Sequence, residues 1–430
     1  MGRRLAAHVR PGQSLCAAFS GGLDSTVLLD ILARLRGEAG FALTAMHVHH
    51  GLSRNADRWA QACVEFAGSR GVPIAVERVT VDRGHPAGLE AAARAARHAA
   101  LARAGADFVA LAHHRDDQAE TVLLQALRGT GVKGLSAMAQ ARATGGAVWL
   151  RPLLDEPRDE LLAYAREAGL DWVEDESNEI TAFDRNFLRH EVMPVLERRF
   201  PQYRESLARL ARHAAAASEL LDGLAREDAA RIDDGGGLSA AGLEALDPAR
   251  RANVLRHFLA SRGLAMPGEA RLADMARQLA SARDDARVLV LHGGRALVRH
   301  RGRIDVEDAP RDAASWEVAW RGERVLPLGD GRGEVRFREA VGEGIALGRV
   351  AIGRWRFASR AGGERIRLRD DGPTRTLKNL LQEHGVPVWR RPRLPFLFEG
   401  ERLVWVPGIG IASDYLAPAS AAGLAPTWHP

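Results

Sequence analysis

The chain has almost no lysine. Of its 60 basic residues only Lys133 and Lys378 are lysines, and the rest are arginines. Its positive charge therefore sits on planar guanidinium forks rather than compact ammonium groups, a composition suited to phosphate. Cysteine is just as scarce. Cys16 and Cys63 lie in apolar segments without CxxC spacing. This excludes a disulfide framework and a cysteine-rich zinc motif, and it points to reduced core thiols in a cytoplasmic protein. No apolar run approaches a membrane span. The first eleven residues carry arginines but no apolar signal segment, so cytoplasmic retention without a membrane partner is expected. A large charge imbalance is also lacking. The formal net charge is +5, although the isoelectric point is about 9.8. A basic balance of that size suits a nucleic-acid partner without establishing one.

What is present is an ordinary globular composition of 430 residues, enough for two or three domains. Short apolar runs alternate with helical patterns. Strands are expected at 15–19, 41–48, 72–79, 108–112 and 148–154. Helices are expected after 23 and over 56–70, 89–105 and 158–168. This β/α alternation predicts an α/β fold with a doubly wound, mainly parallel sheet. From 201 to about 231 the chain is alanine-rich and helical. Further helices over 250–262 and 269–281, and a hairpin turning at Gly293-Gly294, give a small, mostly helical middle domain. The segment 355–415 has the texture of an α+β module. We therefore expect domains at 1–215, 216–340 and 341–430.

The stretch Ala18-Phe19-Ser20-Gly21-Gly22-Leu23-Asp24-Ser25-Thr26 falls between an apolar strand and an apolar helix. Two glycines at the bend allow unusual backbone angles and close approach of a ligand. The N–H groups of a new helix attract anions. The stretch lacks the lysine of a Walker loop. Asp24 takes the comparable place, which makes sense if a divalent cation such as magnesium stands between it and phosphate. A glycine turn with a Ser or Asp cap is the plain alternative.

A second polar cluster follows the fourth strand: His113-His114-Arg115-Asp116-Asp117-Gln118-Ala119-Glu120. Read as part of one helix, His113 pairs with Asp117 and Asp116 with Glu120, four apart on a face. Capping needs fewer charges than this. Magnesium coordination and capture of a cationic substrate are the functional readings. Arg128-Gly129-Thr130-Gly131-Val132-Lys133 is a basic glycine loop, either a connector or a contact for a phosphate backbone. Polar groups crowd 172–189, including Arg185 and Arg189. In the last module, arginine beside Trp389 suits stacking on bases or simple burial.

SGGLDS at 20–25 resembles the phosphate loop of the N-type ATP pyrophosphatases, the PP-loop superfamily. Within it the chain resembles the tRNA(Ile)-lysidine synthases, close to the proteobacterial form. The resemblance rests on HVHHGL at 47–52, LEAAARAARHAAL at 89–101 and AHHRDDQAET at 112–121. It continues through RGTGVKGLSAM at 128–138, LRPLL at 150–154, EDESN at 174–178, DRNFLRH at 184–190 and the tail GGERIRLRDDGPTRTLKNLLQEHGVPVWRR. It covers about three quarters of the chain and is weakest over 220–340. His49 stands where many members have asparagine.

The resemblance implies a two-step ligation. ATP adenylates the C2 oxygen of the wobble cytidine in a CAU-anticodon isoleucine tRNA. The ε-amine of free L-lysine then displaces AMP and leaves lysidine. It further implies that Ser20, Gly21, Gly22, Leu23, Asp24 and Ser25 hold the phosphates, with Asp24 on magnesium, and that Ala18 and Met46 line the adenosine. Asp116, Asp117 and Glu120 are the expected carboxylates for lysine and its proton. His49, His113, Arg97, Arg128, Lys133, Arg185 and Arg189 are expected near lysine, adenylate or tRNA. Lys378 and Arg390 are expected at the tRNA in the last module. A monomer or homodimer is expected. The rivals are a PP-loop tRNA thiolase, which needs reactive cysteines, and a non-catalytic RNA-binding protein, which has no use for acids beside a phosphate loop.

Overall fold

Five of the six strands of the first sheet run parallel, and their order places the phosphate loop. A computed structural model describes the chain except residues 87, 177–182, 281–287, 310–314, 351–352 and 388–389 and the side chain of residue 3. Two compact units result, Met1–Leu221 and Asp222–Pro430.

The first unit opens with a short helix, α1 (Gly2–Ala6). Strand β1 (Ser14–Ala18) leads into α2 (Leu23–Ala39), β2 (Ala42–His49), α3 (Ala56–Ser69), β3 (Ile74–Arg78), α4 (Leu89–Ala102) and β4 (Phe108–Ala110). Helix α5 (Arg115–Leu127), the single turn α6 (Val132–Leu135), β5 (Ala141–Thr144), β6 (Ala147–Leu150) and α7 (Arg158–Glu167) follow. The sheet order is β3-β2-β1-β4-β6-β5. Strand β5 alone runs antiparallel, paired to β6. The fold class expected from the alternation is the one observed, with an antiparallel edge strand added.

The chain winds one way from β1 to β3 and the other way from β4 to β6. The switch point is therefore between β1 and β4, and open α/β sheets bind ligands at that crevice. Alternation decides which side chain faces which layer. Leu15 and Ala17 of β1 and Leu43 and Ala45 of β2 pack under α2, α3 and α7. Ala18, Met46, Val48, Val109 and Trp149 pack under α4.

The α5 region continues through α8 (Asp184–Phe187), a π-helical turn Leu188–Val192 and α9 (Met193–Arg199). The 29-residue α10 (Tyr203–Arg231) runs from the first unit into the second.

The second unit holds two cores. One joins helices Ala240–Ala245, Pro248–Ser261 and Glu269–Ala280 to a five-stranded sheet. The hairpin expected at Gly293-Gly294 is part of that sheet, as Val288–His292 paired with Arg295–His300. Gly235 and Gly236, with positive φ, turn a second small hairpin there. The other core carries a five-stranded and a four-stranded antiparallel sheet with helix Leu377–Glu383. Trp320, Trp355 and Trp405 are buried in it, and Trp320 stacks on Phe337 at 4.1 Å. These tryptophans build the core, with Trp316 and Trp428 half-buried at its margin. Trp389 lies outside the described residues.

One buried carboxylate ties the helix of the phosphate loop in place. Asp30 of α2 is 1% exposed. It accepts from Arg70 Nε at 2.7 Å, Arg34 Nε at 2.8 Å and Tyr164 Oη at 2.7 Å. It thus joins α2 to α7 and to the end of α3. Burial pushes its carboxyl up, but Tyr164 and Arg70 outweigh that and hold it below the usual range. A lowered folded value means stability that is present above the unfolded value and lost as pH falls through the folded one. Asp30→Asn should cost about 1–3 kcal/mol near neutral pH. In denaturant unfolding the gap to wild type should narrow below about pH 4.

Candidate active site

The loop between β1 and α2 is held from within. Gly21 has φ +88°, a left-handed angle that favours glycine. A Cβ there would stand 2.8 Å from Cys63 Sγ. Gly21 N–H donates to Ser25 Oγ at 3.2 Å, and Ser25 Oγ donates to Gly22 O at 2.9 Å. Thr26 Oγ1 donates to Gly21 O at 3.2 Å. Ser25 is thus engaged by the loop itself, while Ser20 stays exposed with its Oγ 3.0 Å from Ser25 Oγ. Phe19 N–H donates to Met46 O at 2.9 Å, which joins the loop to β2. His47 Nδ1 lies 3.0 Å from Phe19 O and 3.3 Å from Cys63 Sγ. Leu23 is core, 5% exposed. The free N–H groups at the start of α2, with Ser20, form the anion-facing rim.

The acidic cluster meets this rim through one imidazole. His114 Nε2 is 3.5 Å from Asp24 Oδ2 and 3.4 Å from Asp117 Oδ2, and its Nδ1 is 3.7 Å from Asp116 Oδ2. Burial opposes a charge on this ring, but Asp117, Asp116 and Asp24 outweigh it and push the ring up to about 10. His114 is therefore a cation among three carboxylates. His113 behaves oppositely. Burial, aided by Arg151, Arg185 and Arg97, pulls it down to about 3 against the attraction of Asp117.

Helix α5 begins at Arg115, so neither histidine is on it. The expected pairing of His113 with Asp117 on one helix face does not occur. The partners are also redistributed. Asp117 and Glu120 share two guanidiniums, whereas Asp116 turns to Arg204 Nε at 2.5 Å and to Arg158 N–H at 3.1 Å. Arg185 donates from Nε to Glu120 Oε2 at 2.6 Å and from Nη2 to Asp117 Oδ1 at 2.7 Å. Arg189, on the π turn, donates from Nε to Glu120 Oε1 at 2.6 Å and lies 3.4 Å from Asp117 Oδ1. Glu120 is 1% exposed, and a buried acid needs such compensation. Burial pushes Asp117 up, but His114, Arg185 and His113 hold it well below the carboxylate range.

The other expected residues are placed as follows. Ala18 and Met46 adjoin each other across β1 and β2, on the α4 side. His49 points to the α3 side, with Nε2 at 3.2 Å from Asp57 and 3.4 Å from Arg78, away from the acids. Arg97 is an exposed residue of α4. Arg128 lies 3.5 Å from Asp184, and Lys133 is exposed on α6. In the second unit Lys378 is exposed on helix Leu377–Glu383. Arg390 pairs with Glu307 at 2.6 Å and so joins the two cores. Of EDESN, Ser177 and Asn178 lie outside the described residues. Sequence reasoning passed over His114 and Arg204 as site residues. The double histidine was visible, but nothing in the order of two adjacent rings says which one faces the acids.

Magnesium finds one fitting group. Asp24 Oδ1 is buried with no hydrogen-bond partner. Among the described residues no three His, Cys, Asp or Glu side chains form a metal cage. Magnesium does not require one, since it takes one or two carboxylates with phosphate oxygens. Cys16 and Cys63 are buried and free, and burial pushes Cys63 up to about 12. Neither is the reactive thiol that a thiolase needs.

Loop, switch point and acids together define a PP-loop enzyme that uses ATP. Residues 3–196 match the family model of the PP-loop domain, 238–304 that of the TilS substrate binding domain, and 355–428 that of the TilS substrate C-terminal domain. A tRNA(Ile)-lysidine synthase of Azoarcus sp. (strain BH72) is 45% identical, matched over 99% of this chain and 94% of its own length. That of Nitrosomonas europaea is 41% identical over 99% and 94%. That of Burkholderia pseudomallei is 45% identical over 92% and 89%. The chain belongs to the tRNA(Ile)-lysidine synthase family, and its class is that of an ATP-dependent ligase in tRNA modification.

Glu120→Gln should leave two guanidiniums without their shared charge. We expect a stability loss of about 1–3 kcal/mol and a fall in kcat of roughly tenfold or more as Arg185 and Arg189 lose their placement. Denaturant unfolding and steady-state kinetics check both.

Proposed function

We propose that this site adenylates the C2 oxygen of the wobble cytidine of a CAU-anticodon isoleucine tRNA and then joins the ε-amine of L-lysine to that carbon, releasing AMP. One observation carries the reading: His114 bridges the phosphate loop at Asp24 and the acid cluster at Asp117. A phosphate site and a site for a cationic amine thereby stand side by side, as transfer from one to the other requires.

Ser20 and the first N–H groups of α2 hold the phosphates, and Asp24 is the residue that would hold magnesium. When bound, magnesium neutralises phosphate charge. Cytidine O2 is a weak nucleophile, so fixed donors around the α-phosphate matter most. Ala18 and Met46 line the adenosine. Lysine arrives as an ammonium ion and reacts as a free amine. Asp117, held anionic, suits the capture of an ammonium better than the uptake of its proton. Glu120 acts through Arg185 and Arg189. Arg97, Arg128 and Lys133 lie on the RNA side, and Lys378 and Arg390 reach tRNA from the second unit.

Pyrophosphate exchange and AMP release with the tRNA, with and without lysine, test the reading. AMP release should rise steeply with lysine, and AMP formation that ignores lysine would refute it. Asp117→Asn should raise the lysine KM about tenfold or more while ATP binding persists, on the scale of one lost charged hydrogen bond. An unchanged lysine KM removes Asp117 from that role. Asp24→Asn should slow adenylation about a hundredfold or more and blunt its response to added magnesium.

A further inference from the structure

Trp149 of β6 is 2% exposed, and its indole N–H has no hydrogen-bond partner. Cations surround it. Arg142 of the edge strand β5 is its cross-strand neighbour. Arg151, just past the end of β6, shares its side of the sheet. Arg151 is 9% exposed, donates to Ala139 O at 2.8 Å, and keeps a buried Nε with no partner. From α4, His98 sets its ring edge-on to Trp149 with centroids 4.8 Å apart. Arg94 is four residues before His98 and three before Arg97, so on α4 it neighbours both.

None of these four arginines has an ion pair to a carboxylate among the described residues, in contrast to Arg185, Arg189 and Arg204. Burial, followed by Arg142 and Arg94, pulls Arg151 down to about 10. Burial, followed by Arg94, Arg97, Arg151 and Arg142, pulls His98 down to about 4. Arg97 is lowered by burial, then by Arg94 and Arg185, so the group continues into the acid site. Glu90 acts on Arg94 and Arg97, and Asp117 on Arg94, only from beyond ion-pair distance, so four like charges stand together without a directly paired acid. Arg94, Arg97 and Arg142 are exposed residues.

We infer that Arg94, Arg97, Arg142 and Arg151 form a phosphodiester strip between α4 and the β5–β6 edge, which carries the RNA strand beside the wobble nucleotide. The inference rests on the proposal that RNA is the acceptor. The strip spans a helix and two strands, so it suits a run of phosphates rather than one. Its β5–β6 half stands beyond β4 from the loop after β1 that serves ATP, while its α4 half belongs to the helix that covers Ala18 and Met46. Trp149 is the rigid floor, and its packing against His98 keeps α4 and β6 at fixed separation.

The test uses the full chain and an unmodified CAU-anticodon isoleucine tRNA transcript. Binding of tRNA is measured against sodium chloride concentration for wild type, Arg142→Gln and Arg94→Gln. Both positions are exposed, so the variants should fold, and thermal unfolding verifies it. Each should weaken tRNA binding about three- to tenfold and lower the slope of log K against log salt by about 0.7–0.9. ATP binding should stay within about twofold. Unchanged tRNA affinity and slope would overturn the strip. So would weaker ATP binding with tRNA unaffected, which would assign these arginines to the nucleotide. Lysine-dependent AMP release by wild type is scored separately. If it is absent, the ligation reading fails while the salt slopes still report on the strip.

Discussion

A single imidazolium holds the two halves of the site together. His114 follows β4, Asp24 follows β1, and their ring-to-carboxylate distance of 3.5 Å closes the crevice at the switch point. The charge on His114 exists only because carboxylates stand on three sides of it. Those carboxylates tolerate burial only because His114 and two guanidiniums answer them. Neither half is stable in its present ionisation without the other. The site is thus one electrostatic unit assembled from segments 24, 114–120 and 185–189.

That mutual dependence sets demands elsewhere. The loop must bring Asp24 forward without a side chain in the way, hence a left-handed Gly21 above Cys63. Helix α2 must not rotate, hence Asp30 bound to Arg34, Arg70 and Tyr164. Two arginines four apart must both reach Glu120, and the wider π turn carries the second of them. Such turns mark places where local geometry is adjusted for a purpose.

The loop and the β/α alternation were legible because both are local. Glycines at a bend, hydroxyls on either side and apolar runs of strand length state their structure within ten residues. The position of the acids at a strand end was legible for the same reason. Their partners were not. Arg185 lies 65 residues beyond Glu120, and pattern alone cannot say whether it meets an acid or a phosphate. His114 is the extended residue just before α5 and His113 precedes it, a placement the residue types do not state. The antiparallel β5 hid because four residues over a Gly145-Gly146 turn look like a loop. That two sheets enclose Trp320, Trp355 and Trp405 was not legible, because strands that meet there are far apart in the chain.

The edge formed by β5 has a further consequence. An open strand edge is a template on which another chain can add hydrogen bonds, and natural sheets blunt such edges with short strands and charge. Strand β5 is four residues long and bears Arg142. Its charge and brevity discourage a second molecule from extending the sheet. The charge of Arg142 on this edge thus also sets a second copy of the same edge apart by like-charge repulsion.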